Sequence, residues 1–245
     1  MTRTRFSARI GQAAKKKKSR IILAVDPKHD TKNVRTFAKK TIGAVAGHIC
    51  GIKVNFHLLL PLSGREIRDI NEFAHSHGLV CIADIKINDI DSTNKAALAH
   101  LAAMGFDAII ANPFMGAATL VSFAKEARKM GLGVIALVYM SHPDAKDGYG
   151  LQAGRGAIYE IFLERAANAR VDGVVVGATQ ADILKKVRGG RLAIYSPGVG
   201  AQGGDVEQAV RNGSDYLIVG RSIIGADDPA GVASDMNRRA QRSLA

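Results

Sequence analysis

Short apolar runs alternate with longer stretches of helical periodicity along almost the whole chain. The runs fall at 21–25, 50–54, 79–85, 108–111, 134–138, 173–176, 192–195 and 216–219. They are rich in Val and Ile and mostly lack polar alternation, as strands covered on both faces should be. Between them, segments 31–46, 64–76, 91–103, 116–129, 152–168, 180–187 and 206–211 carry apolar residues at helical spacing. Eight such alternations predict parallel strands joined by helical crossovers. The class is therefore α/β, and eight units fit a closed single-domain (β/α)8 barrel, the TIM barrel, with an open doubly wound sheet as the structural rival. No Pro/Ser-rich linker interrupts the pattern, so residues 20–245 are read as one barrel domain preceded by a basic extension over 1–19.

Composition bounds this picture without changing it. A chain of 245 residues that is 47% apolar can bury one large core. The net charge of +12 is unevenly spread: the first twenty residues hold eight Lys and Arg and no acid, which leaves +4 for the rest. That extension is read as a disordered, solvated terminus. It has no apolar stretch of signal-peptide type, and no run approaches a membrane span. Cys50 and Cys81 sit in apolar runs with no CxxC spacing, which suits buried thiols in a reducing cytoplasm. The charge is concentrated in the tail and no aromatic platform is apparent, so no nucleic-acid partner is expected.

The polar residues that do change the picture cluster at one end of the strands. Asp26 follows the first strand, Lys53 closes the second, and Asp84 and Lys86 close the third. Ser141 follows the fifth, Pro197 to Gln202 the seventh, and Gly220 and Arg221 the eighth. In a barrel all of these are C-terminal strand ends, hence one mouth, where barrel enzymes place their chemistry. Asp84 and Lys86 are two apart and would project to one face of a strand. With Asp89 just beyond, two carboxylates and an ammonium fall within six positions. Such a group suits proton chemistry or expulsion of a carboxylate, while an ion pair capping a strand end is the plainer account.

The Gly-rich loop 196–204 contains GxGxxG at Gly198, Gly200 and Gly203, the dinucleotide fingerprint. It comes too late in the chain for a Rossmann unit, and the next strand ends in Gly220-Arg221 with no ribose-binding acid, although an arginine there could meet a 2′-phosphate. The better reading joins loop N–H groups, Gly220 and the Arg221 guanidinium into a phosphate site between strands seven and eight, against a mobile loop beside a surface arginine. Lys53 could equally snorkel to the rim, and Asp26 could be a turn residue. The histidines show no metal-ligand spacing: His75 and His77 are two apart on a helix, and no HExxH occurs, so no catalytic metal is expected.

From about Arg20 to the C-terminal helix, the chain resembles the orotidine 5′-monophosphate decarboxylases. The resemblance rests on Asp26, the Ile-Lys53-Val strand, Asp84-x-Lys86-x-x-Asp89-Ile90, Met140-Ser141-His142-Pro143, the Pro197 to Gly203 loop and Val219-Gly220-Arg221, in that order. It implies a cytoplasmic, cofactor-free enzyme of pyrimidine synthesis that converts orotidine 5′-monophosphate to uridine 5′-monophosphate. It further implies that Lys53, Asp84, Lys86 and Asp89 form an alternating charge array, with Lys86 as proton donor. Asp26 and Thr93 would contact the ribose, Ser141 and Pro197 the base, and Gln202, Gly220 and Arg221 the phosphate. Asp89, Ile90 and Thr93 would reach the neighbouring site of a homodimer; Asp89 and Thr93, four apart, are expected on one helix face. Asn55 and His57 depart from the Gly and Pro common in that pattern. Two rivals remain: a Mg2+-dependent sugar-phosphate decarboxylase or hexulose-phosphate synthase sharing DxKxxD, and a non-catalytic nucleotide or RNA binder suggested by the basic tail.

Overall fold

A computed structural model describes residues 4–154 and 156–243. Eight parallel strands close into a barrel in chain order: β1 Ile21–Val25, β2 Gly51–Asn55, β3 Val80–Ile87, β4 Ala108–Ala111, β5 Gly133–Tyr139, β6 Gly173–Val176, β7 Ala193–Pro197 and β8 Tyr216–Val219. Closure is direct, with Ile21 against Leu217 and Leu23 against Val219. The open-sheet rival is thereby excluded.

Strand parity divides the apolar residues between two cores. Ile22, Ala24, Ile82, Ile110, Leu137, Val175 and Ile218 fill the barrel interior. Ile21, Leu23, Val54, Ala83 and Val219 face outward against the helices. Both faces are dry, which is why the runs carry no polar alternation. The same parity turns Lys53 and Asp84 inward, and both are buried.

The helical segments appear as expected, with one displaced start. The pattern over 152–168 yields a helix only at Ile158–Ala169. Gly154 has φ +66°, a short antiparallel bridge joins Gln152 to Ala157, and the Glu160 carboxylate accepts the Ala157 N–H at 2.9 Å. The turn and this backward cap set the first helical residue. Short helices Phe56–Leu59, Ala145–Tyr149 and Arg221–Ile224 are additions within the loops.

The larger correction concerns the basic extension. Residues 1–3, Arg3 among them, lie outside the described residues, but Phe6–Lys17 is a helix and not a disordered arm. Phe6, Ile10 and Ala13, spaced four and three apart, form one buried stripe that joins the interior core and plugs the N-terminal end of the barrel. Arg9 donates to the carbonyls of Gly131 and Asp107, each at 3.1 Å. Gly133 makes room: a Cβ there would stand 2.4 Å from Phe6. The charge count hid this helix, although the apolar spacing was present in the sequence.

Among the described residues no helix is long and apolar enough to cross a membrane.

Candidate active site

The C-terminal strand ends surround a cleft of about 270 Å³. Asp26, Lys53, Asp84, Lys86, Ser141, Pro197, Gln202, Gly220 and Arg221 all line it. Nine expected site residues, drawn from positions almost 200 apart in the chain, thus meet in one place.

Its floor is a row of charges. Lys53 Nζ donates to Asp84 Oδ2 at 2.7 Å, and Lys86 Nζ donates to Asp84 Oδ1 at 2.7 Å. Lys53 is 4% exposed and Asp84 7%. Burial, the largest single influence, would push the Asp84 carboxyl up. The ammoniums of Lys53 and Lys86, by charge and hydrogen bonding together, override it and hold the group below its ordinary value. Asp84 is therefore an anion clamped between two cations at neutral pH.

Simple alternation does not aim Lys86. Four steps along β3, from Ala83 to Ile87, match only two along β4, from Ile109 to Ala111. Within this bulge Lys86 takes φ +47°, a left-handed conformation rare for a side chain with a Cβ. Local strain of this kind costs about 1–3 kcal/mol and persists only where the surroundings enforce it. Here it directs the ammonium back onto Asp84.

Asn55 extends the row towards Asp26. Its Oδ1 accepts from Lys53 Nζ, and its Nδ2 donates to Asp26 Oδ1. From sequence Asn55 is only a departure from the family pattern, with no role in the site. The signal was its parity with Lys53, two residues before it on the same strand.

The opposite wall is the Gly-rich loop. Gly198 has φ +95°, and a Cβ there would lie 2.8 Å from Ser141 Cβ and 2.9 Å from Gln202 Oε1. Only glycine allows this approach, which lets Ser141 Oγ donate to Gln202 Oε1 at 2.7 Å. The loop N–H groups do less than expected. Those of Gly200, Gly203 and Gly204 bond loop carbonyls, and that of Ala201 bonds Ser222 Oγ. What points outward at this end is the Gln202 amide and the Arg221 guanidinium, which forms no ion pair among the described residues.

Asp89, Ile90 and Thr93 do not join the cleft of their own chain. All three are exposed, and Asp89 Oδ1 accepts the Ile90 N–H at 2.7 Å just before the helix Asp91–Ala103. Asp89 precedes that helix, so the pairing of Asp89 with Thr93 on one helix face does not form as expected. Within one chain the array reads Lys53–Asp84–Lys86, and among the described residues no second carboxylate pairs with Lys86. His142 also lines the rim, whereas His75 lies 2.8 Å from Asp107 at the other end of the barrel.

Residues 19–236 match the family described as Orotidine 5′-phosphate decarboxylase / HUMPS family, and the chain belongs to that family. The orotidine 5′-phosphate decarboxylase of Methanococcoides burtonii is 36% identical over 220 residues, covering 89% of this chain and 95% of the relative. That of Thermococcus kodakarensis is 34% identical, covering 86% and 92%. Among solved structures, orotidine 5′-monophosphate decarboxylase from Methanocaldococcus jannaschii, complexed with the inhibitor BMP, superposes with a TM-score of 0.78. It is 27% identical and the match covers 91% of this chain and 98% of that one.

Proposed function

We propose that the residues of this cleft divide between them the work of converting orotidine 5′-monophosphate to uridine 5′-monophosphate, with Lys86 as the proton donor. The chain is a carboxy-lyase of pyrimidine biosynthesis. The observation that carries the reading of its site is the Lys53–Asp84–Lys86 row on the floor of a cleft whose far end presents Gln202 and Arg221.

The chemistry follows from that layout. The bond from C6 to the carboxylate carbon breaks, CO2 leaves, and the electron pair stays on C6. A carbanion at this vinylic position has little resonance relief, so fixed positive charge beside it lowers the barrier. Lys86 supplies that charge and then gives a proton from Nζ to C6. Asp84, held in place from both sides, faces the departing carboxylate. The repulsion ends as CO2 forms. Asp26, with Asn55 behind it, accepts from the ribose hydroxyls. Ser141 and Gln202, bonded to each other in the free cleft, pass to the base and the phosphate, and Arg221 holds the phosphate. Binding energy from that remote group helps align the reacting centre.

The second carboxylate for Lys86 comes, on this reading, from a second copy of the chain. Asp89 and Thr93 are exposed and Ile90 is 68% exposed, while Phe56 and Leu60 on the β2 loop are 57% and 68% exposed. Large apolar side chains exposed around a functional edge suit an interface between copies. Mixing K86A with D89A should restore turnover that neither variant has alone; no restoration removes the shared site.

The test of the activity is the ultraviolet absorbance of orotidine 5′-monophosphate mixed with the purified protein in excess EDTA. A fall matching uridine 5′-monophosphate formation is expected. No change in EDTA, with turnover of a sugar-phosphate substrate once Mg2+ is added, would replace this reading with the sugar-phosphate branch.

A further inference from the structure

The floor of the barrel carries a second surface that the decarboxylation does not use. The N-terminal helix turns its apolar stripe inward and ends in four consecutive lysines. Lys15, Lys16 and Lys18 are exposed, and none of the four forms an ion pair among the described residues. Some cations elsewhere on the surface do: Arg68 with Glu72, Lys129 with Glu126 and Arg238 with Asp235. A helix C-terminus is stabilised by cations in its last turn, but that effect is screened and falls off within the turn. Four adjacent like charges also repel one another.

These lysines stand on a fixed support. Lys18 ends the helix in a left-handed conformation, and its carbonyl accepts from Asn237 Nδ2 at 2.9 Å and Gln241 Nε2 at 3.2 Å. Next to it, Ser19 Oγ donates to the His48 carbonyl at 2.6 Å. A groove of about 630 Å³ runs from Lys15 and Lys18 past Arg20, which pairs with Asp215 at 3.7 Å, to the ring of Tyr216. That ring is backed by the buried Tyr195, with centroids 4.9 Å apart and planes nearly parallel.

The geometry points to a binding surface for the phosphodiester backbone of a single-stranded nucleic acid, on the face opposite the active site. A row of unpaired lysines follows a string of phosphates through counterion release, without base readout. An aromatic ring beside a basic groove offers a base a stacking surface. A membrane surface fits less well. Phe6, Ile10 and Ala13 are committed to the barrel, and the outer positions Ser7, Ala8 and Gln12 offer nothing large and apolar to insert. From sequence, nucleic acid was set aside because the charge lay in a tail and no aromatic platform was visible. The fold anchors the tail and places Tyr216 beside it.

The test is fluorescence anisotropy of a labelled oligouridine strand titrated with the full chain at several salt concentrations, beside K15S/K16S/K18S and K15R/K16R/K18R. Binding at low salt is expected, weakened at least about tenfold in the serine variant and kept in the arginine variant. Losing three phosphate contacts should flatten the log–log salt slope by about 2. Y216L should weaken binding without changing that slope. Oligothymidine should bind comparably, since phosphates and stacking are read. Turnover of orotidine 5′-monophosphate should be the same in all variants, which also reports that they are folded. No binding of the native chain at low salt, or equal binding by the serine variant, overturns the proposal. Tighter binding to phosphatidylserine-rich vesicles than to either strand overturns it in favour of a membrane surface.

Discussion

At the mouth of the barrel Asp84 lies 2.7 Å from two ammoniums, and among the described residues its carboxylate accepts no backbone N–H. At the floor Asp107 is clasped differently: its Oδ2 accepts the Cys81 N–H at 2.8 Å and meets His75 Nε2 at 2.8 Å, and Arg9 lies 3.3 Å from Oδ1. Asp172 and Asp215 repeat the floor arrangement, accepting the N–H groups of Val134 and Ile194 at 3.0 and 2.9 Å. Three carboxylates at the starts of β4, β6 and β8 thus bind the backbone of the strand before, and they serve closure. The mouth carboxylate is held by side chains alone, on flexible stems that can follow a reacting group. Asp84 and Asp107, equal in charge and both buried, therefore do different work, and the identity of the donor separates them.

The largest effect that could break this comparison is at the mouth. K86A should lower kcat at least about 10³-fold, because it removes both the proton donor and the adjacent positive charge. Calorimetry should still detect uridine 5′-monophosphate binding, since the phosphate end is untouched. Substantial remaining turnover would remove Lys86 as donor.

At the floor, F6A should cost about 3–4 kcal/mol of stability in urea unfolding, as for a buried aromatic deleted from a packed core. Turnover per folded molecule should not change. A lower kcat with unchanged stability would mean that the two ends are coupled.

R221A sharpens the division within the mouth. A charge-assisted hydrogen bond to phosphate is worth about 1.5–3 kcal/mol. Uridine 5′-monophosphate affinity should fall by roughly 10- to 100-fold while uridine affinity stays level. Equal losses for both would contradict the phosphate assignment.

The smallest effect concerns pH. Burial would raise the Asp107 carboxyl, but the His75 hydrogen bond, the Cys81 N–H and the nearby charges hold it below its ordinary value. A group depressed in the folded state contributes stability that is present above the unfolded value, about 3.9, and is lost as pH falls through the folded value. The Tm advantage of the native chain over D107N should therefore be constant near pH 6–7 and shrink as pH falls below about 4. An advantage independent of pH would show that the carboxylate charge is not what matters there.

The mouth was more legible from sequence than the floor. Charged residues at the ends of Val- and Ile-rich runs stand out against their surroundings, so Asp26, Lys53, Asp84, Lys86 and Arg221 were visible as exceptions. The floor helix was masked because four lysines dominate its composition, although Phe6, Ile10 and Ala13 carry the helical spacing. Asn55 stands out in the sequence only as a departure from the family pattern, because a neutral amide in a strand shows no site role until it is seen between Lys53 and Asp26. Asp89, Ile90 and Thr93 stand out only by motif, and it is the family resemblance, not any local pattern, that implies a place for them away from their own chain's cleft.

The sequence by itself determined the eight alternating units and the gathering of Lys53 and Asp84 at the C-terminal strand ends, because strand and helix periods are written in neighbouring residues. Only the tertiary structure decided that the bulge in β3 would turn Lys86 onto Asp84, and that Ser141 would meet Gln202 from 61 positions away. It likewise decided that a basic N-terminal segment would seal the barrel floor. Each of these depends on barrel closure, which brings distant strand ends to within bonding distance and leaves no trace in any local pattern.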